Sequence, residues 1–257
     1  MNCSGVKVII FAGKGRSSRL VYNALKEDCN VVKVIFEDGV SRKKMLSRRV
    51  KSLGILTVLG QLCFILWNAL TKKSAEVRIQ EIIDEKGLCD DRIDDDLVES
   101  VRSINDDRVL EVVEAECPDV IVVNGTRIIS RKIIEGVGVP MVNTHAGITP
   151  KYRGVHGGYW ALTEKDYSNC GVTVHLVDTG IDTGSVLAQA RIEVQKNDNF
   201  NTYPYLQLAA AIPLLKEAIS NESIGGREVV EVNLPSKLWS HPTMFQYFKY
   251  RLLAGVK

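Results

Sequence analysis

This 257-residue sequence contains no C-x-x-C pair. Its six cysteines, Cys3, Cys29, Cys63, Cys89, Cys117 and Cys170, are scattered, and no histidine stands near them at metal-ligand spacing. That pattern argues against a structural zinc site and against a disulfide framework, and it leads to the expectation that no metal is required. Charge of one sign is also missing, since 33 Lys and Arg face 31 Asp and Glu for a net charge of +2. A global electrostatic case for nucleic acid is thereby removed. The opening residues lack the basic-then-apolar layout and small-residue cleavage site of a secretory leader, and the strand-like run Val6 to Phe11 begins almost at once. A cytoplasmic protein in a reducing compartment is expected. The third glycine of a dinucleotide fingerprint is absent after Gly13-Lys14-Gly15, and no Gly-Lys-Ser/Thr follows. Two readings of this turn stand: a plain tight turn, or a seat for an anion among Lys14, Arg16, Ser17 and Ser18.

What is present alternates as α/β proteins do. Val6 to Ala12 is short, β-branched and followed by glycines, the mark of a buried parallel strand; a helix around Leu20 to Lys26 and a strand Val31 to Phe36 follow. The stretch Asp94 to Arg108 reads as a polar helix that Val109 to Ala115 continues and Pro118 stops. Val120 to Val123 is a fully apolar strand, Ser130 to Glu135 a helix ended by glycine, and Val139 to Val142 a strand. Tyr159 to Lys165, Gly171 to Val177 and Ser185 to Val194 read as helix, strand and strand. Thr202 to Ser220 reads as one helix with Pro204 in its first turn and Pro213 inside it; Glu228 to Val232 reads as a last strand. In the basic, aromatic tail Trp239 to Leu253, the helical spacing of Tyr247, Phe248 and Tyr250 favours docking on the core over stacking of a base.

The stretch with the most chemistry is Val142-Asn143-Thr144-His145-Ala146-Gly147, followed by Pro150-Lys151-Tyr152-Arg153-Gly154 and by Val177-Asp178-Thr179-Gly180-Ile181-Asp182-Thr183-Gly184. Asn143 and His145 alternate at the end of a strand, so both side chains can point to the same side. Gly180 and Gly184 let the backbone around Asp182 turn toward them. Transfer of a formyl group to an amine develops an oxyanion, which needs donors aimed at the oxygen and a route for a proton. Asn143 supplies an amide N–H, His145 can donate a proton or carry charge, and Asp182 can orient the imidazole or hold a proton-moving water.

At these residues the sequence resembles the folate-dependent formyltransferase family, most of all its sugar-nucleotide amine N-formyltransferases, and most strongly from about Val120 to about Gln189. The resemblance implies an α/β, Rossmann-like formyltransferase fold with a mostly parallel sheet. It implies a catalytic domain over residues 1–196 carrying a helical insertion at 41–74, and a short helical C-terminal extension over 197–257. It also implies catalytic roles for Asn143, His145 and Asp182, and 10-formyltetrahydrofolate as donor. The donor would lie against the segment Val122, Val123, Asn124, Gly125, Thr126, Arg127, Ile128 and Ile129, and against the loop from Asp178 to Asp182, through Asp178 and Gly180. Lys151, Tyr152 and Arg153 would contact the acceptor.

The acceptor itself is read from departures. Gly15-Arg16-Ser17, Ala146 and Lys151-Tyr152-Arg153-Gly154 differ from the purine branch, and the stretch after the core is short for the tRNA branch. A nucleotide-linked amino sugar is therefore expected as the small-molecule partner, with the glycinamide ribonucleotide step of purine synthesis or a catalytically silent folate-fold binding module as alternatives. Arg42, Lys43, Lys44, Arg48, Arg49 and Lys51 precede the uncharged run Leu53 to Leu70, and Lys72 and Lys73 follow it. Gly54, Thr57, Gly60, Gln61 and Asn68 dilute that run, so the expected form is a helical pair. It would pack on the domain or a second copy, ahead of a membrane-surface contact through 41–73 and of a true span.

Overall fold

The computed structural model describes residues 5–39, 42–220 and 229–257. A seven-stranded sheet runs through it in the order β3-β2-β1-β4-β5-β7-β8. Strands β1 (Lys7–Gly13), β2 (Asn30–Glu37), β3 (Val98–Val101), β4 (Val120–Asn124) and β5 (Met141–His145) are mutually parallel. β7 (Gly171–Leu176) and β8 (Val186–Arg191) extend the sheet antiparallel. The mostly parallel α/β fold expected from the sequence is thus observed.

Period-two alternation assigns the strand residues to two cores. Val8, Ile10 and Val122 join a cluster with Leu20 and Leu25 of α1 (Arg16–Lys26), Ile79 of α4 (Glu76–Glu85), and Leu208 and Ile212 of α8 (Tyr203–Ser220). Ile9, Phe11 and Ile121 face the other way, against Val109 and Val113 of α5 (Asp107–Glu116) and Ile133 of α6 (Arg131–Gly136). All five residues of β4 are buried, which explains the unbroken apolar run Val120 to Val123 ahead of Asn124. α8, the first helix of the expected 197–257 extension, covers the same sheet face as α1, so by packing it is a core helix.

Two expectations fail. The polar helix expected from Asp94 to Arg108 does not form: Asp95–Leu97 is a single 3-10 turn, β3 occupies Val98–Val101, and the helix begins only at Asp107. β3 is an edge strand of four residues whose only buried side chain is Val101, and the half-exposed Glu99 beside the exposed Ser100 hid a strand among acidic neighbours. The last strand expected at Glu228 to Val232 is absent over 229–232, and Glu228 lies outside the described residues. Instead β9 (Leu238–Trp239) pairs in parallel with β6 (Arg153–Gly154).

The insertion is a helical pair, α2 (Arg42–Leu53) and α3 (Ile55–Thr71), divided at Gly54 with φ +80°. Ile55–Glu85 is, among the described residues, the helical stretch long and apolar enough to cross a membrane. One face of α3 nevertheless docks on the domain. Val58, Gln61 and Phe64 are buried, and Phe64 sits edge-on to Phe200 and against Tyr247 of α9 (Met244–Leu253). This aromatic cluster also takes in Tyr159 and Trp160 of α7 (Gly157–Thr163). Tyr247 therefore docks on the core as its spacing implied.

At the head of α7, His156 adopts φ +60° and its Nε2 lies 2.9 Å from Nδ1 of His241. Burial, with the facing ring, pushes His156 down to about 3, and burial, with Arg49 nearby, pushes His241 down to about 4. Both rings are neutral in the fold, whereas the unfolded chain takes up their protons near the ordinary value of 6.5. Stability from this pair is complete above that value and drains away as pH falls through it toward the folded values. The melting temperature is expected to drop between pH 6.5 and 4, and His241→Gln should flatten that dependence. Thermal melts across the range check it.

Candidate active site

The sheet switches from parallel to antiparallel at β5, and the register there aligns Asn143 with His175 and His145 with Thr173. Asn143 Nδ2 lies 3.1 Å from His175 Nε2. His175 Nδ1 donates to the Leu176 carbonyl at 2.7 Å, so in the neutral ring Nε2 accepts one amide N–H of Asn143. That contact fixes the amide in orientation and leaves its second proton for another acceptor.

His145 is held at both ring nitrogens. Nε2 lies 2.7 Å from the Tyr152 carbonyl oxygen, and Nδ1 lies 3.3 Å from Asp182 Oδ2. The loop can bring Tyr152 back to the imidazole only because residue 147 is glycine: a Cβ there would stand 2.3 Å from that carbonyl oxygen and 2.9 Å from His145 Nε2. Asp182 is reached by a strained turn in which it adopts φ +51° itself. Gly180 and Gly184 serve the turn by close approach, since a Cβ on Gly184 would meet the Leu176 carbonyl at 1.8 Å. The Gly154 N–H donates to Asp182 Oδ2 at 2.8 Å, and His175 Nε2 stands 3.8 Å from Oδ1.

Electrostatics follow from this enclosure. Burial lowers the pKa of His145, more than Asp182 and the Tyr152 carbonyl restore it. Burial alone would raise that of Asp182, but His175, His145 and the Gly154 N–H outweigh it and hold the carboxyl below the usual range. The ground state pairs a carboxylate with a neutral imidazole.

These groups open on a cavity of about 700 Å³, a size suited to a small molecule. Asn143, His145, His175, Asp178, Gly180 and Asp182 line it, together with Gly125, Thr126, Arg127, Ile128 and Ile129. Val122 and Asn124, also expected there, do not line it. Val122 is fully buried in the sheet core, and its neighbour Val123 takes the cavity wall. Asn124 turns to Ser18 Oγ at 3.1 Å. The Arg127 side chain pairs with Glu37 and donates to the Asp38 carbonyl. Asp178 shapes its own turn, accepting from Gly180 N and Thr183 Oγ1.

The expected acceptor contacts Lys151, Tyr152 and Arg153 are absent from the lining. Lys151 is paired to Asp166 at 2.5 Å, Tyr152 is fully buried with its hydroxyl on the same carboxylate, and Arg153 reaches the Ile181 carbonyl. Loop position in sequence did not reveal that this segment is pinned by Asp166 and by β9. Three contributors were not singled out in the sequence. His175 could have been found from its strand position two residues before the Asp178 loop. Arg49, held by Gln61 Oε1 at 2.7 Å, and Trp239, stacked on Trp160 at 4.7 Å, come from distant segments that carry no local signal.

A family model described as formyl transferase matches residues 67–209, more than half of the chain and the whole of this Asn-His-Asp arrangement. The chain belongs to the folate-dependent formyltransferase family. Among curated proteins, the methionyl-tRNA formyltransferase of Finegoldia magna is 35% identical over 94 residues, covering 36% of this chain and 30% of that protein. The methionyl-tRNA formyltransferase of Caldicellulosiruptor saccharolyticus is 31% identical over 129 residues, 49% of this chain and 41% of that one. The chain thus aligns with 30% and 41% of these two relatives' lengths. Among solved structures, a sugar N-formyltransferase from a Shewanella species superposes with TM-score 0.55 at 15% identity, covering 91% of this chain and 76% of that one. Glycinamide ribonucleotide transformylase 1 of Symbiobacterium toebii gives TM-score 0.55 at 18% identity, covering 90% and 96%. At such identities the likeness is one of fold.

His175→Ala should free the Asn143 amide, and the Asn143 side-chain NH2 signal in a nitrogen-15 correlated NMR spectrum should then move toward that of a solvent-exposed asparagine; an unchanged signal would show that the ring does not hold the amide.

Proposed function

We propose that this chain transfers a formyl group from 10-formyltetrahydrofolate to the amine of a nucleotide-linked amino sugar. The observation that carries the reading is the meeting of Asn143, His145 and Asp182 at one cavity whose wall is the backbone from Gly125 to Ile129, in a member of this family. The apolar side chains of Val123, Ile128, Ile129 and Val177, with exposed backbone at Gly125 (φ +70°), fit a flat heteroaromatic ring that seeks both stacking and main-chain hydrogen bonds. When bound, that co-substrate supplies the formyl carbon.

The chain's own groups divide the remaining work. Asn143, oriented by His175, offers its second amide N–H to the carbonyl oxygen as charge grows there. The Tyr152 carbonyl keeps the His145 proton on Nε2, so Nδ1 turns a lone pair toward the Asp182 carboxylate. That pair is one proton short. The proton lost by the attacking amine satisfies both atoms at once, and the same proton can return to the leaving nitrogen. The chemistry needs no metal, because Asn143 and the pair already polarise and shuttle.

For the acceptor, Arg49 and Trp239 in the cavity wall replace the expected Lys151, Tyr152 and Arg153 contacts. A guanidinium in the cavity wall suits the diphosphate of such an acceptor. The curated relatives named as methionyl-tRNA formyltransferases favour a second reading, the amine of an aminoacyl-tRNA.

Purified protein with the folate donor, offered nucleotide-linked 3-amino and 4-amino sugars, glycinamide ribonucleotide and methionyl-tRNA, should add a formyl mass to the amino sugars. Turnover of methionyl-tRNA or glycinamide ribonucleotide alone would reject the acceptor; no turnover of any would reject the activity. Asn143→Ala, His145→Ala and Asp182→Ala should each lower turnover by about 10² or more. Arg49→Ala should raise the acceptor KM with kcat nearly kept, and exhaustive chelation should leave the rate unchanged.

A further inference from the structure

The outward face of α3 is apolar along its whole length. Leu56, Leu66 and Leu70 are 81%, 69% and 82% exposed, and Leu59 and Leu62 lie between them. A docked helix ordinarily turns charged residues outward; here there is none from Gly54 to Thr71. The polar side chains of α3 face inward: Gln61 donates to the His241 carbonyl at 2.7 Å, and Asn68 pairs with Asn201 at 3.0 Å. α9 runs beside α3, from the close approach of Gly60 to Thr243 through the ring contact of Trp67 with Phe248. It adds Phe245 and Leu252, 76% and 83% exposed, to the same pair of helices.

Charge identifies the occupant. No Asp or Glu occurs between Asp38 and Glu76 or after Glu231, and those two stretches hold eight and four Lys or Arg. With a net charge of +2 over the whole chain, the remainder is negative by ten. A second copy meeting this face through a two-fold contact would bring carboxylate-free surface against itself. A bilayer carrying anionic headgroups complements both the leucines and the cations. Spanning is disfavoured, since it would pull Phe64 from its aromatic cluster and break the Gln61 and Asn68 hydrogen bonds.

We propose that α2, α3 and α9 form a docking face that lies in the plane of an anionic lipid bilayer. The face sits beside the cavity, since Arg49 and Leu53 of α2 belong to the cavity wall, but the proposal does not depend on which amine is formylated.

The test is flotation of the full chain with vesicles of phosphatidylcholine alone and with phosphatidylglycerol added. Binding is expected only to the anionic vesicles, weakening as salt is raised. Substituting Leu56→Gln, Leu66→Gln and Leu252→Gln together should weaken it by about tenfold or more. The melting temperature should hold, because these side chains are exposed. Lys51→Glu with Lys249→Glu, which leaves the leucines intact, should also weaken it by about tenfold. Failure to bind anionic vesicles, or equal binding to both kinds, would overturn the proposal. So would a dimer in sedimentation that the leucine substitutions dissociate, which would give the face to a second copy.

Discussion

The antiparallel register of β7 on β5 is the constraint from which the candidate site follows. In a sheet whose first five strands all run one way, this pairing lays a strand of opposite direction along the end of β5, and it does so with Asn143 opposite His175. A slip of one residue would turn His175 to the opposite face and leave the Asn143 amide without its partner. The loop after β7 then has only to turn once, at Asp182, for a carboxylate to meet both imidazoles. Two glycines permit the approaches that complete it, Gly147 under the Tyr152 carbonyl and Gly184 against Leu176.

Enclosure gives these residues their protonation states. Burial drives His145 toward neutrality, and the partners of Asp182 keep it ionised in the same space. The Tyr152 carbonyl leaves the His145 Nδ1 lone pair facing that carboxylate, so one added proton would be shared by both.

Much of the fold was legible because buried parallel strands are written as short β-branched runs: Val8 to Phe11 and Val120 to Val123 could hardly be anything else. β3 was not legible, since an edge strand of four residues with two of them acidic or polar, Val98-Glu99-Ser100-Val101, carries no alternation that distinguishes it from a helix start. The Asn-His-Asp constellation could be read from local order, as Asn143 and His145 share one strand end and Asp182 lies in the next glycine-rich loop. The rest of the cavity wall could not. Tyr152 reads as a loop residue and is in fact wholly buried between Trp239 and Asp166, while Arg49 and Trp239, 190 positions apart, reach the same cavity only through tertiary packing. Local pattern encodes the strand ends; the cavity walls are encoded by contacts that no window spans.

The pairing of β9 with β6 sets an order of events during synthesis. Leu238 and Trp239 stand opposite Arg153 and Gly154, the Arg153 and Val155 N–H groups donating to the Lys237 and Trp239 carbonyls, and the segment through His241 supplies one wall of the cavity. The sheet, with its Asn143, His145 and Asp182, can be assembled while that segment is still inside the ribosome. Until it emerges and lays Trp239 over Trp160, the cavity lacks that wall. A nascent chain thus holds its sheet before it holds a whole cavity, which closes only when residues 238–241 come back across the loop at 153–154.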